Sequence, residues 1–444
     1  MWRLFESRSR RSREEMKSAC VLLYFFVCVV LFPSIAESKT WALLTAGSNT
    51  WGNYRHQADI CHAYQILHRN GIPDENIVVM MYDDIAHSNY NPTPGKVINK
   101  PKGPDVYHGV PKDYTGADVT PKTFMNVLKG NKDALNGVGS GKVIDSGPDD
   151  HVFVYFADHG APGLLAFPDV APVLTKKELL HTLKFMNEKK KYKQMVLYIE
   201  ACESGSMFSN GGLPDNINIF ATTAANPHES SYATYYDDKR ETYLGDLYSI
   251  AWMENSDKSN LTKETLQQQF QKVKARTNLS HVQEYGQMGI SPEPVIDYQG
   301  EGTGSWLPAK DTTEYPTTDA VPAPEVPAAI LEHRLEKATS QKEKMTIEME
   351  LMSLLRERQR VRQTVERIAE MATHNEEQRF RVLEGTSGKV TQLDCHHEVV
   401  HAFSDTCFAL GKSDAALRHV YVLANMCEEN IPVPQILSAI KEAC

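Results

Sequence analysis

The stretch Met195-Val196-Leu197-Tyr198-Ile199-Glu200-Ala201-Cys202-Glu203-Ser204-Gly205 passes from five apolar residues directly into acidic, thiol-bearing and small ones. An apolar run without alternation fits a strand buried on both faces, the habit of parallel sheets covered by helices. Four further runs share this character, at 41–46, 77–81, 152–156 and 217–221. Helical patterns lie between them. In 58–69, Ile60, Tyr64 and Leu67 fall on one face, and Asn70-Gly71-Ile72-Pro73 supplies a stop. The expected fold class is therefore α/β, a doubly wound, mostly parallel sheet flanked by helices.

In such sheets chemistry gathers outside the carboxyl ends of the strands. Three ends are loaded: Ser48-Asn49 through Asn53-Tyr54-Arg55-His56 after the first run, Asp158-His159-Gly160 after the third, and Glu200 to Gly205 after the fourth. A thiol nucleophile needs a base beside it, an acid for the leaving group and backbone N–H donors for the developing oxyanion. Cys202 and His159 supply the first two. Gly160 has no side chain to keep its N–H from a substrate. A lone cysteine or histidine is more often core packing than catalysis, but both at adjacent strand ends form a constellation. Cys61 lies in a helical stripe and reads as core.

Working outward, the 444 residues are too many for one ordinary domain. A net charge of −10 offers no attraction to phosphate backbones, so nucleic acid is not an expected partner. Residues 1–19 carry Arg3, Arg8, Arg10, Arg11, Arg13 and Lys17 ahead of an apolar run at 20–32, with Ser34-Ile35-Ala36 after it. That run is shorter than the roughly 20 residues of a spanning helix, so 1–36 reads as a signal peptide and no membrane span is expected after its removal. Cys395, Cys407, Cys427 and Cys444 crowd the last fifty residues, where an oxidising compartment allows two disulfides whose connectivity spacing does not fix. Asn260-Leu261-Thr262 and Asn278-Leu279-Ser280 are glycosylation sequons.

The segment 307–328 is rich in Pro, Thr, Glu, Asp and Ala and reads as an exposed linker open to proteolysis. Residues 330–383 lack Pro and Gly, so long helices are expected, with Met345, Met349, Met352 and Leu355 as a core-facing stripe. The expected boundaries are a signal peptide at 1–36, a catalytic domain at 37–306, an activation linker at 307–328 and a helical, disulfide-stapled C-terminal domain at 329–444. The His and Cys residues show no zinc-type spacing, so neither a metal nor another cofactor is expected.

Glu200-Ala201-Cys202-Glu203-Ser204-Gly205 with an upstream His159-Gly160 resembles the caspase arrangement. The sequence is more similar still to the legumain family of asparaginyl endopeptidases, through Ala46-Gly47-Ser48-Asn49, Asn53 to Asp59, Asp158-His159-Gly160, Tyr198 to Ser206, Ala224 to Ser231 and Tyr243-Leu244-Gly245-Asp246. The resemblance runs from about Trp41 to Cys444. It implies a caspase-like fold, a Cys202–His159 dyad, an oxyanion hole from Gly160 and the Cys202 backbone, and Asn53 orienting the histidine. It further implies a substrate pocket of Arg55, His56, Glu200, Ser231 and Asp246, protein and peptide substrates, and an endolysosomal or secreted enzyme.

A carboxamide has a donor and an acceptor, so guanidinium and carboxylates together suit asparagine. Aspartate meets repulsion from Glu200 and Asp246 unless protonated, which ties cleavage after Asp to low pH. The resemblance also makes the tail an inhibitory prodomain released by acid after linker cleavage. The linker holds Asp311 and Asp319 and no Asn. His333, His374, His396, His397, His401 and His419 in the tail are expected to gain charge near pH 6 and, with interfacial carboxylates, to loosen docking. Two other readings use the same residues: a peptide ligase or transamidase working through the same acyl-enzyme, and an inactive homologue acting as a binding module. Retention of Cys202, His159 and every pocket residue weighs against the second.

Overall fold

The computed structural model describes residues 38–168, 172–301, 306–385 and 388–444. The expected signal peptide at 1–36 lies outside them. Strand β1 (Thr40–Ala46) is buried at every position, as are β2 (Ile77–Met80) and β5 (Ile219–Thr223). Strands β3 (His151–Ala157) and β4 (Gln194–Glu200) are buried except at their first residues. Together with β8 (Gln283–Gly286) they form a six-stranded sheet of order β8-β5-β4-β3-β1-β2, in which every pairing is parallel except that of the edge strand β8. The continuous apolar runs are those five parallel strands; the fifth sits two residues later than expected. Strand β8, with its polar residues, carried no apolar signal.

Side chains alternate across the pleat. Phe153, Tyr155 and Ala157 point into one layer with Tyr54, Trp252 and Phe270; Val152, Val154 and Phe156 point into the other with Phe124, Leu179 and Leu183. The first layer is covered by α1 (Tyr54–Arg69), α4 (Leu247–Lys258) and α5 (Leu266–Arg276), the second by α2 (Pro121–Leu128) and α3 (Lys176–Glu188). Helix α1 starts four residues earlier than its apolar pattern predicts, so Arg55 and His56 stand in its buried first turn rather than in a loop. A separate three-stranded sheet joins the hairpin β6 (Tyr232–Asp237) and β7 (Thr242–Asp246) to β9 (Val321–Pro322).

Strand β9 corrects the expected linker. Part of 307–328 is a sheet strand, and helix α6 (Val326–Lys337) already begins inside it. Pro327 sits in the first turn of α6, where the missing N–H costs no helical hydrogen bond, so a proline of the expected linker belongs to the helix instead. Asp319 is held as well: its carboxylate accepts from Thr234 Oγ1 (3.0 Å) and the N–H groups of Tyr235 (3.2 Å) and Tyr236 (2.5 Å). Asp311 is pinned by Lys100 at 3.3 Å.

The tail continues with α7 (Gln341–Ala372), α8 (Glu376–Glu384), α9 (Leu393–Thr406), α10 (Val420–Glu428) and α11 (Val433–Ala443). Disulfides Cys395–Cys427 and Cys407–Cys444 staple it, which settles the connectivity. The Met stripe is a correction: Met345, Met349, Met352 and Leu355 are 46–68% exposed, while Ile347, Val361, Val365, Ile368 and Ala372 of α7 are buried. Helical spacing marks a face but does not say whether another element covers it.

Candidate active site

Three strand ends lie side by side because the sheet is in register. Ala46 pairs with Ala157, and Ala157 with Glu200, so the residues that follow leave the sheet as neighbours. The ladder runs on briefly, Gly47 N–H donating to Ala157 O (3.2 Å) and Asp158 N–H to Glu200 O (3.0 Å). His159 and Cys202 emerge from this row and line one cavity of about 700 Å³. Gly160 is required by space: a Cβ there would stand 2.4 Å from Cys202 O and 2.9 Å from the Ala201 Cβ. Its backbone therefore presses against that of Cys202. Just after Cys202, Glu203 takes a left-handed φ of 49°, a conformation costly for a side-chain-bearing residue and found where a sharp turn presents a functional group.

The His159 ring is oriented through Asn53. Asn53 Nδ2 donates to Asn49 O (3.1 Å), which fixes its amide so that Oδ1 accepts from His159 Nε2 at 2.9 Å. The ring proton then sits on Nε2, and Nδ1 is left unprotonated. Burial lowers the His159 pKa, with Asp414 opposing. Burial and the neighbouring Glu203 raise that of Cys202, so the covered site holds a neutral imidazole and a neutral thiol. The thiol's hydrogen-bond partner is Ser231, whose N–H lies 3.4 Å from Sγ and whose hydroxyl lies 3.8 Å away.

Beneath Cys202 and His159 is a buried charged floor. Arg55 Nε donates to Asp246 Oδ1 at 2.8 Å, and both side chains are 1% exposed or less. His56 receives Ser48 Oγ at 2.6 Å, lies 3.1 Å from Asp158, and turns Nε2 toward Asp246 at 3.6 Å. Burial and the adjacent Arg55 push His56 well below its usual pKa, which leaves it neutral. Glu200 accepts from the N–H and hydroxyl of Ser249 through Oε2. Burial and Asp246 push its carboxyl up to about 8. The two-carboxylate repulsion expected from the sequence thus falls mainly to Asp246. Arg55 Nη2, Glu200 Oε1 and Asp246 Oδ2 are buried and make no hydrogen bond. Buried orphan donors and acceptors are costly, and here one donor stands among acceptors, the complement of a carboxamide.

All nine residues singled out from the sequence, Cys202, His159, Asn53, Gly160, Arg55, His56, Glu200, Ser231 and Asp246, meet in this region. Several participants were not foreseen. Asp59, one turn beyond Arg55 on α1, accepts from Asn99 Nδ2 (2.7 Å) and from the Asp246 N–H (3.3 Å); its i+4 spacing from Arg55 was the available signal. Asp158 and Ser48 stood in the motifs without a role. Cys61 is buried against Met81, as expected of a core thiol.

From the tail, Asp414 reaches 3.5 Å from His159 Nε2, and Arg358, Arg362, Leu417, Arg418 and His419 line the cavity over Cys202. Arg418 (2.6 Å) and Arg358 (2.9 Å) both hold Glu325 beside β9. Nothing local in the sequence pairs these residues. In the docked chain burial pushes His396 down to about 4 and also lowers His397 and His419, so these three take up protons more readily once undocked, which is the sign that the expected loosening by acid requires.

Residues 40–301 match the model of the Peptidase C13 family, and residues 349–444 match the legumain prodomain model. The chain is similar to legumain from Rattus norvegicus and to legumain from Homo sapiens, each 50% identical over 91% of this chain and covering 92% and 93% of those proteins. It is also 43% identical to a vacuolar-processing enzyme from Vicia sativa, over 92% of this chain and 86% of that protein.

Proposed function

This chain belongs to the peptidase C13 family and is a cysteine endopeptidase made as a zymogen, and from that premise we propose that it cuts peptide bonds after asparagine with Cys202 and His159 as its dyad. The observation that carries the reading is the orphan set Arg55 Nη2, Glu200 Oε1 and Asp246 Oδ2 on the floor below the strand-end row. A substrate asparagine gives its carbonyl oxygen to the guanidinium and its NH₂ to the carboxyl oxygens. Aspartate lacks the NH₂ and brings a second charge to Asp246, so it enters once protonated.

His159 Nδ1 takes the thiol proton as Sγ attacks the scissile carbonyl carbon, and the N–H groups of Gly160 and Cys202 receive the oxyanion. The same proton passes to the leaving amine. Water, deprotonated by His159, then hydrolyses the thioester and frees the thiol. Asn53 is a positioning residue, since it touches the base and not the substrate.

The tail inhibits by occupying the cleft, with Asp414 beside the base and Leu417 and Arg418 over the thiol. We propose residues 1–36 as a signal peptide, glycans on the exposed Asn260 and Asn278, and an acidic endolysosomal or extracellular destination. No helix among the described residues is long and apolar enough to cross a membrane. Asp311 is a better first cleavage point than Asp319, whose carboxylate is tied by three donors.

The test is the acidified chain on matched peptides with Asn, Asp, Gln or Ala before the scissile bond, beside Cys202→Ser. Asn-selective cutting that disappears in the variant supports dyad and pocket. Unselective cutting refutes the pocket, and an unaffected variant refutes the dyad.

A further inference from the structure

Helix α3 of the catalytic domain meets helix α9 of the tail at three metal-ligating side chains. His397 and His401, one turn apart on α9, bring their rings to a centroid distance of 4.5 Å. Glu178 on α3 faces both, with Oε2 3.9 Å from His397 Nδ1 and 3.8 Å from His401 Nε2. The three donor atoms lie within 4.8 Å of one another. These separations are too long for hydrogen bonds but near the roughly 3.4 Å between ligands of a tetrahedral ion with bonds of about 2.0–2.2 Å.

Two further observations point to a cation. His401 Nε2 is a buried ring nitrogen without a hydrogen-bond partner. The Glu178 carboxylate is already aimed, because Oε2 accepts from the Thr175 N–H (3.0 Å) and hydroxyl (2.8 Å), the outer-shell support that metal-binding carboxylates show. Thr175 Oγ1 also stands 3.0 Å from His397 Nδ1, and a metal would replace it as that ring's partner. The neighbouring cation Lys177 is occupied by Asp394 at 2.8 Å.

We propose that Glu178, His397 and His401 form a site for a divalent transition-metal ion, zinc by the chemistry of the donors, which ties the tail to the catalytic domain. Two imidazoles, a carboxylate and one position for water make a recurring zinc ligand set. Contrary to the expectation that no histidines show zinc-type spacing, His397 and His401 stand at H-x3-H, while the third ligand comes from another domain and leaves no signal along the chain. The site exists only while the tail is docked, so bound zinc opposes release: at 100 times Kd the linkage makes release about 100-fold less favourable. The binding stands apart from the peptidase reading, whereas its effect on activation rests on it.

The test uses the full chain with Cys202→Ser, titrated with zinc chloride against a chromophoric chelator at neutral pH, beside the same chain also carrying His397→Gln and His401→Gln. Circular dichroism and a His397→Gln single variant, at a half-exposed position, guard against misfolding. One zinc bound by the first chain, and at least tenfold weaker in the substituted ones, is the expected result. Equal binding by all of them overturns the site. In the active chain, zinc present during acidification and chelated before assay should lengthen activation about tenfold, and not in the histidine variants. Equal activation rates with and without zinc overturn the tether. An active chain that never cuts peptide, while the zinc difference persists, refutes the peptidase reading and leaves the metal site standing.

Discussion

The catalytic domain and the tail handle charge in opposite ways. Under Cys202 and His159, Arg55, His56, Asp59, Asp158, Glu200 and Asp246 are all at most 3% exposed, and several of their polar atoms have no partner. The tail's own core is apolar, built on Val361, Val365, Ile368, Val399, Phe403 and Leu423, and pairs such as Arg381–Glu429 (2.9 Å) lie at its surface. A buried charge is costly unless fully paired, so the floor under Cys202 costs the catalytic domain stability, while the tail is stabilised by packing and two disulfides. The regions also share an apolar seam: Ala161, Leu164, Ala166 and Val173 of the catalytic domain belong to the tail's core cluster. The tail is thus a continuation of the domain's core that also covers its most polar part.

The contrast can be broken most severely at the nucleophile. Cys202→Ala should lower kcat/KM by about 10⁴-fold or more and leave the thermal midpoint of the uncut chain unchanged; a chain that still cuts would remove Cys202 from the mechanism. Arg55→Ala should abolish selectivity for Asn over Ala. It should also destabilise by about 3–5 kcal/mol, because Asp246 is left as an uncompensated buried charge; a neutral result in urea unfolding would mean that the floor is not a charged network. Asn53→Ala should reduce kcat by about 10²-fold with little change in KM, the mark of a misplaced base. Joint replacement of Cys407 and Cys444 by Ser should cost the tail about 2–5 kcal/mol and free it at a higher pH. The reading of the tail as the stable partner would not survive an unchanged release profile.

The smallest effects concern pH, and their signs differ. His419 and His159 have pKa values lowered in the docked state by burial. The free state binds their protons more readily, so docking is fully stabilised by them above the ordinary histidine pKa of about 6.5 and loses that stabilisation as pH falls below it. Glu203 works the other way. Desolvation and Glu229 push it up to about 8, with Arg418 opposing, so the docked state holds its proton and docking weakens as pH rises from about 4.3 to 8. Glu203→Gln should therefore tighten docking at neutral pH and steepen its loss on acidification, whereas His419→Gln should flatten that loss. Tail affinity measured across pH 4–8 separates the two, and parallel profiles for both variants would refute the assignment.

Much of this was legible along the chain. Five unbroken apolar runs dictated a buried parallel sheet, since only strands covered on both faces have no polar side, and the residues after them hold the proposed dyad. Cys202, His159 and Gly160 could be found because a strand end is a position in sequence as well as in space. The proposed pocket residues Arg55, Glu200 and Asp246 came from family resemblance, because nothing local shows that positions so far apart share a floor. Tertiary structure alone decided the register that aligns Ala46, Ala157 and Glu200, the early start of α1 that buries Arg55 and His56, and the pairing of β9 that turns a proline-rich linker into a fixed strap. It also decided that the Met stripe of α7 faces outward and that His397 and His401 meet Glu178. Periodicity and composition are properties of one segment, whereas burial, pairing and ligand geometry depend on what another segment brings to the same place.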